Sequence, residues 1–254
     1  MQINKYLGIL CWCIVLGYTS GWAQVPHAQG EIQIINAGVG GNTSGDLIKR
    51  LEADVLQKDP DLVLIMVGTN DMVNSAKLTS YVDYKAHMVT LIRRLKREGV
   101  QPVLMSPPPV DTAYLFQRHD RSKFDVPPNE KLAEVSKILK TLARQEKLVF
   151  IDLQRAFVKA EVPKHNQDTW IKNMLNSGEA DGVHPTPEGY TFIGKYVYDA
   201  LEKHGVFLKG YKTILCFGDS ITYGSRVCGA GTAEGQTYPA VLERLIKQSG
   251  QLRK

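Results

Sequence analysis

The sequence predicts an α/β protein, a three-layer α/β/α sandwich with a five-stranded parallel sheet between two layers of helices. Two observations support this. Five short apolar runs have the length of buried strands, and stripes of apolar residues at helical spacing separate them. Strands that alternate with helices form parallel sheets covered on both faces. The predicted strands are residues 32–35, 62–67, 103–105, 149–151 and 214–217.

Four predicted helices carry the apolar stripes. Their apolar residues recur every three or four positions, which places them on one face of a helix and so in the core. The stripes are Tyr81, Tyr84, Met88, Leu91, Ile92 and Leu95; Leu132, Val135, Leu139 and Leu142; Tyr190, Ile193, Val197 and Leu201; and Tyr238, Val241, Leu242 and Leu245. A further helix is predicted to begin near Ser44.

Length and composition predict one globular domain. The chain has 254 residues, 43% of them hydrophobic and 22% charged, which is enough for one sizeable core. No internal repeat or linker divides the sequence. The long stretch 106–128, rich in proline, is expected to be an irregular loop that forms a wall of a substrate site. We therefore expect a single domain over residues 24–254.

The N-terminus predicts a secretory signal peptide over residues 1–23. Lys5 precedes a short apolar stretch, and small residues follow at the positions that a signal peptidase reads. A membrane anchor is the alternative, but the apolar stretch is shorter than the about 20 residues that span a bilayer. A lipid anchor on Cys11 or Cys13 is disfavoured, because Ile9 and Leu10 stand where a lipoprotein signal has a small residue. The mature protein is expected to be secreted or periplasmic, without stable membrane insertion.

The net charge and the cysteines bear on which partners the protein binds and on whether it contains a disulfide. Removal of the signal takes away Lys5 and no acid, so the formal charge falls from +5 to +4. No arginine-rich or aromatic-interleaved basic run is present, which argues against nucleic acid as a partner. Cys216 and Cys228 remain and could pair in an oxidising compartment, but a buried strand residue and a loop residue are more simply two free thiols.

The first two strands are followed by segments with polar or glycine residues, where ligand sites of parallel sheets lie. Residues 36–43 contain three glycines, which fit an oxyanion-binding turn, a dinucleotide fingerprint or a turn needed only for backbone shape. Thr43 stands where the fingerprint has its third glycine, so that hypothesis is weak. After the second strand, Asn70 in Gly68-Thr-Asn-Asp71 can direct an amide N–H at developing negative charge, or can form a simple turn.

A pair of residues three apart, Asp181 and His184, precedes a predicted helix that begins at Pro187. Across one turn the carboxylate can accept the imidazole Nδ1–H, which leaves Nε2 free to take a proton from a hydroxyl. Asp181, His184 and Asp219 were also considered as metal ligands, but no further ligand has suitable spacing, so no metal is expected. The remaining histidines have no comparable carboxylate and are interpreted as structural or surface residues: His27, His87, His119, His165 and His204.

The last predicted strand ends in Gly218-Asp219-Ser220. A serine at a strand-to-turn exit is a candidate nucleophile, although Thr222 replaces the final glycine of the Gly-x-Ser-x-Gly elbow. A different serine-hydrolase geometry is implied.

Four blocks together resemble the SGNH (GDSL) hydrolase family: Gly218-Asp219-Ser220, Gly41, Gly68-x-Asn70-Asp71 and Asp181-x-x-His184. The resemblance implies a flavodoxin-like fold and a serine esterase without a cofactor. It implies that Ser220 is the nucleophile, His184 the general base and Asp181 its orienting partner. The oxyanion hole would comprise the N–H groups of Ser220 and Gly41 and the amide of Asn70.

The order of the blocks departs from the family, which usually begins with the serine block. Here that block comes last, so the sequence predicts a circular permutation in which residues 204–211 join the last helix of the usual order to the serine strand. A truncated second domain is the less favoured explanation. A monomer or dimer is expected, and a dimer that exchanges the serine strand is also compatible with the eight-residue bridge.

The expected function is hydrolysis of carboxylic esters through an acyl-enzyme, with a small-molecule or carbohydrate ester as substrate. Because the protein is expected to be a secreted member of this family, the resemblance favours deacetylation of carbohydrates, the activity of a carbohydrate O-acetylesterase. A lysophospholipase, a thioesterase or a noncatalytic carbohydrate-binding protein are the alternatives. Tyr114, Leu115 and Phe116 could line an acyl pocket.

Overall fold

A five-stranded parallel sheet forms the centre of the computed structural model, which describes residues 32–252. The sheet confirms the predicted fold class. Its spatial order is β1-β5-β2-β3-β4, and all neighbouring strands are parallel. The strands are β1 (Gln33–Gly38), β2 (Leu62–Met66), β3 (Gln101–Met105), β4 (Val149–Ile151) and β5 (Thr213–Gly218).

Helices follow the strands along the chain and cover both faces of the sheet. The four apolar stripes predicted from sequence lie on α3, α5, α8 and α10, and the helix expected near Ser44 is α1. Within the described residues the helices are α1 (Ser44–Asp54), α2 (Thr69–Val73), α3 (Tyr81–Arg97), α4 (Thr112–Arg118), α5 (Pro128–Glu146), α6 (Leu153–Lys159), α7 (Met174–Ser177), α8 (Pro187–Lys203), α9 (Ser220–Tyr223) and α10 (Tyr238–Leu252).

The core consists of two apolar clusters, one on each face of the sheet. Strand β5 contributes to both, because successive strand residues point to opposite faces. Ile214 and Cys216 pack in the cluster that includes α8 and α10, whereas Leu215 and Phe217 pack in the cluster that includes α1, α3 and α5. Burial on both faces explains why the central strands read as continuous apolar runs rather than as alternating ones.

Strand β5 lies between two strands that are consecutive in the chain. Gly218 at its end is level with Gly38 of β1 and with Met66 of β2. The carboxyl ends of these three strands therefore meet at one edge of the sheet. At the opposite edge, the side chain of Asp61 accepts hydrogen bonds from the backbone N–H groups of Lys212 and Thr213, which fixes the start of β5 beside β2.

Close approach of backbone requires glycine at two of these strand ends. A Cβ on Gly38 would lie 2.1 Å from the backbone nitrogen of Tyr223, and one on Gly218 would lie 2.3 Å from the carbonyl oxygen of Met66. No side chain fits at either position. These contacts allow the short helix α9 to pack directly on the end of β1.

Two expectations about irregular segments are wrong. The stretch 106–128 is not wholly irregular, since it contains α4 and a 3₁₀ turn, Arg121–Lys123. The side chain of Asp111 caps α4 by accepting the N–H of Ala113, a local signal that outweighs the proline content of the segment. The glycine turn also begins later than expected, because residues 36–38 belong to β1 and pair with β5.

The predicted signal peptide, residues 1–23, lies outside the described residues, as do Cys11, Cys13 and His27. Between residues 32 and 252, no helix is both long and apolar enough to cross a bilayer. Cys216 is buried and Cys228 exposed, and both are free thiols. Burial raises the pKa of the Cys216 thiol to about 12.

Candidate active site

Ser220 is the first residue of α9, directly after the carboxyl end of β5. The side chain of Asp219 accepts the N–H of Ile221 and so caps this short helix. The N–H of Ser220 has no acceptor within α9, because the first N–H groups of a helix lack intrahelical partners. Ser220 is thus held at the sheet edge with a free N–H beside its own hydroxyl.

The structure brings Ser220, His184 and Asp181 together in a hydrogen-bonded chain. Nε2 of His184 lies 3.0 Å from Oγ of Ser220, and Nδ1 lies 2.8 Å from Oδ2 of Asp181. An ionised carboxylate can only accept, so Nδ1 carries the proton. In the neutral ring, Nε2 then has a lone pair directed at the Ser220 hydroxyl.

The Asp181 carboxylate is completely buried. Its Oδ1 also accepts the backbone N–H groups of Val183 and His184, at 2.9 and 2.7 Å. Burial alone would raise the pKa of Asp181, but the hydrogen bonds and charge of His184 and the backbone donors outweigh it and hold the pKa below its ordinary value. The carboxylate therefore stays ionised at neutral pH.

Two arginines approach the same carboxylate. Nη2 of Arg118, on α4, lies 3.7 Å from Oδ1 of Asp181 and donates a short hydrogen bond to the carbonyl oxygen of that residue. Nη1 of Arg226, in the loop after α9, lies 3.5 Å from Oδ2. Sequence reasoning missed both, since neither arginine is near Asp181 in the chain.

Gly41 and Asn70 lie in the same cleft as Ser220 and His184. Gly41 has a φ of +75°, a conformation that favours glycine, and its N–H has no acceptor in the described part of the chain. The Asn70 amide donates one N–H to the carbonyl oxygen of Asn42, at 3.0 Å. An amide nitrogen carries two N–H groups, so the second remains available.

A buried polar network connects the start of α1, just after Gly41, to α2, which carries Asn70. Asp71 accepts both the N–H and the hydroxyl of Ser44, and that hydroxyl also lies 2.9 Å from Nδ1 of His87. Burial raises the pKa of Asp71 despite these hydrogen bonds. The network ties the start of α1 to α2. In the sequence, the one signal for this role was the position of Asp71 directly after Asn70.

Asp219, next to the serine, is buried without full hydrogen bonding. Among the described residues its Oδ2 makes no hydrogen bond of normal length, and neither does Oγ1 of Thr69, although Thr69 is near enough to oppose the rise in the pKa of Asp219. Burial is the main cause that raises the pKa of Asp219 from 3.8 to about 6. An ionised carboxylate in this position costs free energy at neutral pH.

The Ser220 hydroxyl opens into a cleft of about 590 Å³. The segment 106–128 forms part of its wall, as expected, through Leu115, Arg118 and His119. Of the three residues expected to line an acyl pocket, Tyr114, Leu115 and Phe116, only Leu115 lines the cleft. Tyr114 instead donates a hydrogen bond to Asn166 and contacts the His165 ring at a tilted angle, and Phe116 packs against Phe124.

The other histidines occupy varied positions. His119 lines the cleft, and its neighbour Ser75 contacts Nδ1 at 3.4 Å. His165 has a carboxylate partner that its sequence neighbours do not reveal, since Nδ1 lies 2.7 Å from Oδ2 of Asp111, distant in the chain. No serine or cysteine among the described residues hydrogen-bonds to this second Asp-His pair, unlike Ser220 in the first.

A slightly larger cleft, about 640 Å³, lies beside the edge strand β4, between α5, α6 and α8. Lys140, Phe192 and Tyr196 are among its walls, and it contains none of the candidate catalytic groups. Across residues 32–252, no group of three or more His, Cys, Asp or Glu side chains is placed to hold a metal ion.

Comparisons with known proteins identify the family of the chain. The model of the GDSL-like lipase/acylhydrolase family matches residues 16–192, a range that contains Gly41, Asn70, Asp181 and His184 and ends before Ser220. An acetylxylan esterase from Geobacillus stearothermophilus is 26% identical over 188 residues, covering 71% of this chain and 77% of that protein. An arylesterase from Vibrio mimicus is 28% identical over 182 residues, covering 72% and 76%.

Among solved structures, an acetyl xylan esterase, AlAXEase, superposes with a TM-score of 0.52 at 24% identity, covering 65% of this chain and 79% of that one. The structure combines a parallel α/β/α sandwich with a hydrogen-bonded chain of serine, histidine and aspartate, an arrangement that occurs in serine hydrolases. More narrowly, this chain belongs to the GDSL-like lipase/acylhydrolase family. It is a serine hydrolase that acts on ester bonds.

Proposed function

We propose that Ser220 is the nucleophile of an acyl-enzyme mechanism, with His184 as general base and Asp181 as its orienting partner. The Nε2 atom of His184 takes the Ser220 proton as Oγ attacks the ester carbonyl. The same nitrogen then gives that proton to the departing alcohol. Water then attacks the acyl carbonyl as Nε2 takes its proton, and Nε2 returns that proton to Oγ of Ser220 as the acid leaves.

The oxyanion hole in this proposal comprises the N–H groups of Ser220 and Gly41 and the second N–H of the Asn70 amide. All three residues line the cleft, and the donors of Gly41 and Ser220 have no competing acceptor among the described residues. Donors that are fixed before the reaction stabilise the charge of a tetrahedral intermediate without reorganising. The Ser44–Asp71 hydrogen bonds fix the start of α1, which follows Gly41, beside α2, which carries Asn70.

The observation that carries the proposal is the 3.0 Å contact between Nε2 of His184 and Oγ of Ser220 within one chain. A fluorophosphonate probe tests it, because the probe modifies serines activated by a base. We expect stoichiometric labelling, located on Ser220 by mass spectrometry and abolished by Ser220→Ala. The control variant Ser122→Ala, which removes an exposed serine, should still be labelled on Ser220 as in the wild type. Absence of labelling would instead favour a noncatalytic carbohydrate-binding protein.

We infer that the natural substrate is an O-acetyl ester of a carbohydrate. The acetylxylan esterase relative supports this assignment, and the polar walls of the cleft, with Asn74, Arg118 and His119, suit a hydroxyl-rich alcohol. The arylesterase relative shows that other alcohols occur within the family. A lysophospholipase or thioesterase needs room for a long acyl chain, so kcat/KM for acetyl against octanoyl esters separates the candidates. A preference for octanoyl esters would contradict the acetylesterase assignment.

We further propose that the block order reflects a circular permutation. Three facts support it: β5 lies between β1 and β2, the connection over residues 204–211 precedes the start of β5, and the family match ends before Ser220. A rearranged gene that places residues 212–252 before residue 32 tests it. The rearranged protein should fold and hydrolyse the same esters, since the catalytic edge is unchanged. Loss of folding would favour a truncated second domain.

We propose that residues 1–23 direct export and that residues 24–254 are the mature single domain. The charge and apolar pattern of the leader support this. Mass measurement of the exported protein should give an N-terminus at residue 24.

Because β5 completes the sheet of its own chain, the site does not need a second copy, and a monomer with full activity is expected in size-exclusion chromatography.

A further inference from the structure

Two guanidinium groups flank the mouth of the catalytic cleft, and no carboxylate among the described residues lines it. Arg118 comes from α4 and Arg226 from the loop after α9. Both are within 4 Å of the Asp181 carboxylate, and both reach solvent, with 35% and 57% of their side chains exposed. The cleft therefore offers positive charge without an acidic competitor in its wall.

Arg226 is held in place by hydrogen bonds and ion pairs with Lys172 and Glu179. Its backbone has a φ of +64°, a left-handed conformation that is unfavourable for a residue with a Cβ. The carbonyl of Arg226 accepts a 2.9 Å hydrogen bond from Nζ of Lys172, which is 4% exposed. Glu179 bridges the two residues, with Oε1 on Lys172 and Oε2 on Nη1 of Arg226. An arginine that served only solubility would not need this support.

Most of the donors on the two arginines are unused. A guanidinium carries five N–H groups. In the described part of the chain, Arg118 uses only Nη2, toward Asp181, and Arg226 uses only Nη1, toward Glu179 and Asp181. The remaining nitrogens of each side chain are free for a planar, bidentate acceptor such as a carboxylate.

The local charges do not cancel. Lys172 and Glu179 form a pair behind the wall of the cleft, which leaves Arg118 and Arg226 facing the single charge of Asp181. With His184 neutral, one positive charge therefore remains beside the cleft. A substrate anion would compensate it.

The mechanism decides which part of the substrate carries this anion. Nε2 of His184 protonates the departing alcohol, so the alcohol part lies on the histidine side of the cleft. Arg118 and Arg226 contact Asp181, the partner of that histidine, whereas Gly41 lies in the loop after β1 and Asn70 in α2. The arginines are thus placed to contact the alcohol rather than the carbonyl oxygen.

We propose that the cleft binds acyl esters whose alcohol carries a carboxylate, of the class of O-acetylated uronic acids, through Arg118 and Arg226. This inference rests on the proposed acetylesterase function and specifies its substrate class. The arginines are specificity-determining residues in this assignment. They act in addition to the catalytic serine, histidine and aspartate.

A matched pair of substrates tests the proposal: the methyl glycosides of an O-acetylated glucuronic acid and of the equally acetylated glucose, followed by acetate release. We expect a kcat/KM about tenfold higher for the uronic acid, the effect of one hydrogen-bonded charge pair. Arg226→Gln and Arg118→Gln should each reduce the ratio of the two values severalfold, whatever their effect on overall rate. Arg94→Gln, which removes a surface arginine paired with Glu52, should leave the ratio unchanged.

Ionic strength gives an independent readout, since the preference should shrink as salt screens the exposed guanidinium groups. A ratio near one in the wild type, or an unchanged ratio in both arginine variants, would overturn the inference while Ser220 labelling left the hydrolase intact. If labelling and turnover both failed, the proposed function would be lost. Calorimetric binding of the two deacetylated glycosides to Ser220→Ala then still decides the inference, because equal affinities contradict it.

Discussion

Asp219→Asn is expected to stabilise the protein at neutral and alkaline pH. The substitution keeps an oxygen that can accept the N–H of Ile221 and so keeps the cap of α9. It removes the ionisation of a side chain that is buried and whose Oδ2 has no hydrogen-bond partner. A buried carboxylate without full compensation opposes folding, so its loss should raise the free energy of unfolding.

The magnitude follows from the pKa. The pKa of Asp219 rises from 3.8 in the unfolded chain to about 6 in the folded protein. Between these two pH values the folded protein holds a proton that the unfolded chain has lost. Stability therefore falls as the pH rises through this interval and then levels off. The cost is absent below the unfolded pKa, about 2 kcal/mol at pH 5 and about 3 kcal/mol at pH 8.

Urea denaturation of wild type and Asp219→Asn at pH 5 and pH 8 measures this. The difference between the two proteins isolates Asp219, because other titrating groups cancel. The variant should be more stable at both pH values, and its advantage should grow by about 1 kcal/mol between them. Asp199→Asn, an exposed aspartate of α8, should differ from wild type by less than about 0.5 kcal/mol. An advantage that does not change with pH, or a variant less stable at pH 8, would refute the reasoning.

Three further substitutions test the site and its supports. Asn70→Ala should lower kcat by about 10² to 10³, a loss of about 2 to 4 kcal/mol of transition-state stabilisation, with a smaller change in KM for an acetyl ester. Gly38→Ala should lower the free energy of unfolding in urea by about 1–3 kcal/mol, because the new Cβ meets Tyr223, whereas Gly40→Ala has open space and should be nearly neutral. Lys172→Met should cost about 1–3 kcal/mol in the same assay, since it leaves buried acceptors without their donor; an unchanged midpoint would contradict that role.

Local patterns made much of the fold predictable. The buried strands read as apolar runs, and the helix stripes at 81–95 and 190–201 fell on α3 and α8. Such patterns depend on residues a few positions apart, which the chain itself brings together. The Asp181–His184 contact was predictable for the same reason, because three residues separate them.

Where local signals compete, the prediction failed. The segment 106–128 was interpreted as irregular because of its prolines, yet Asp111 starts a helix there. Residues 36–38 were assigned to a turn because of the glycine and asparagine, yet pairing with β5 extends β1 through Gly38. Propensity is weak against strand pairing, which adds hydrogen bonds and buries apolar area.

The sequence by itself determined the α/β class, the strands and helices that carry the site, and the local Asp181–His184 pair. Only the tertiary structure decided that β5 lies between β1 and β2, which brings Ser220 to His184. It alone placed Arg118 and Arg226 beside Asp181. The physical reason is that these contacts join residues far apart in the chain, and their geometry depends on the register of strands and the packing of both cores, which no local pattern encodes.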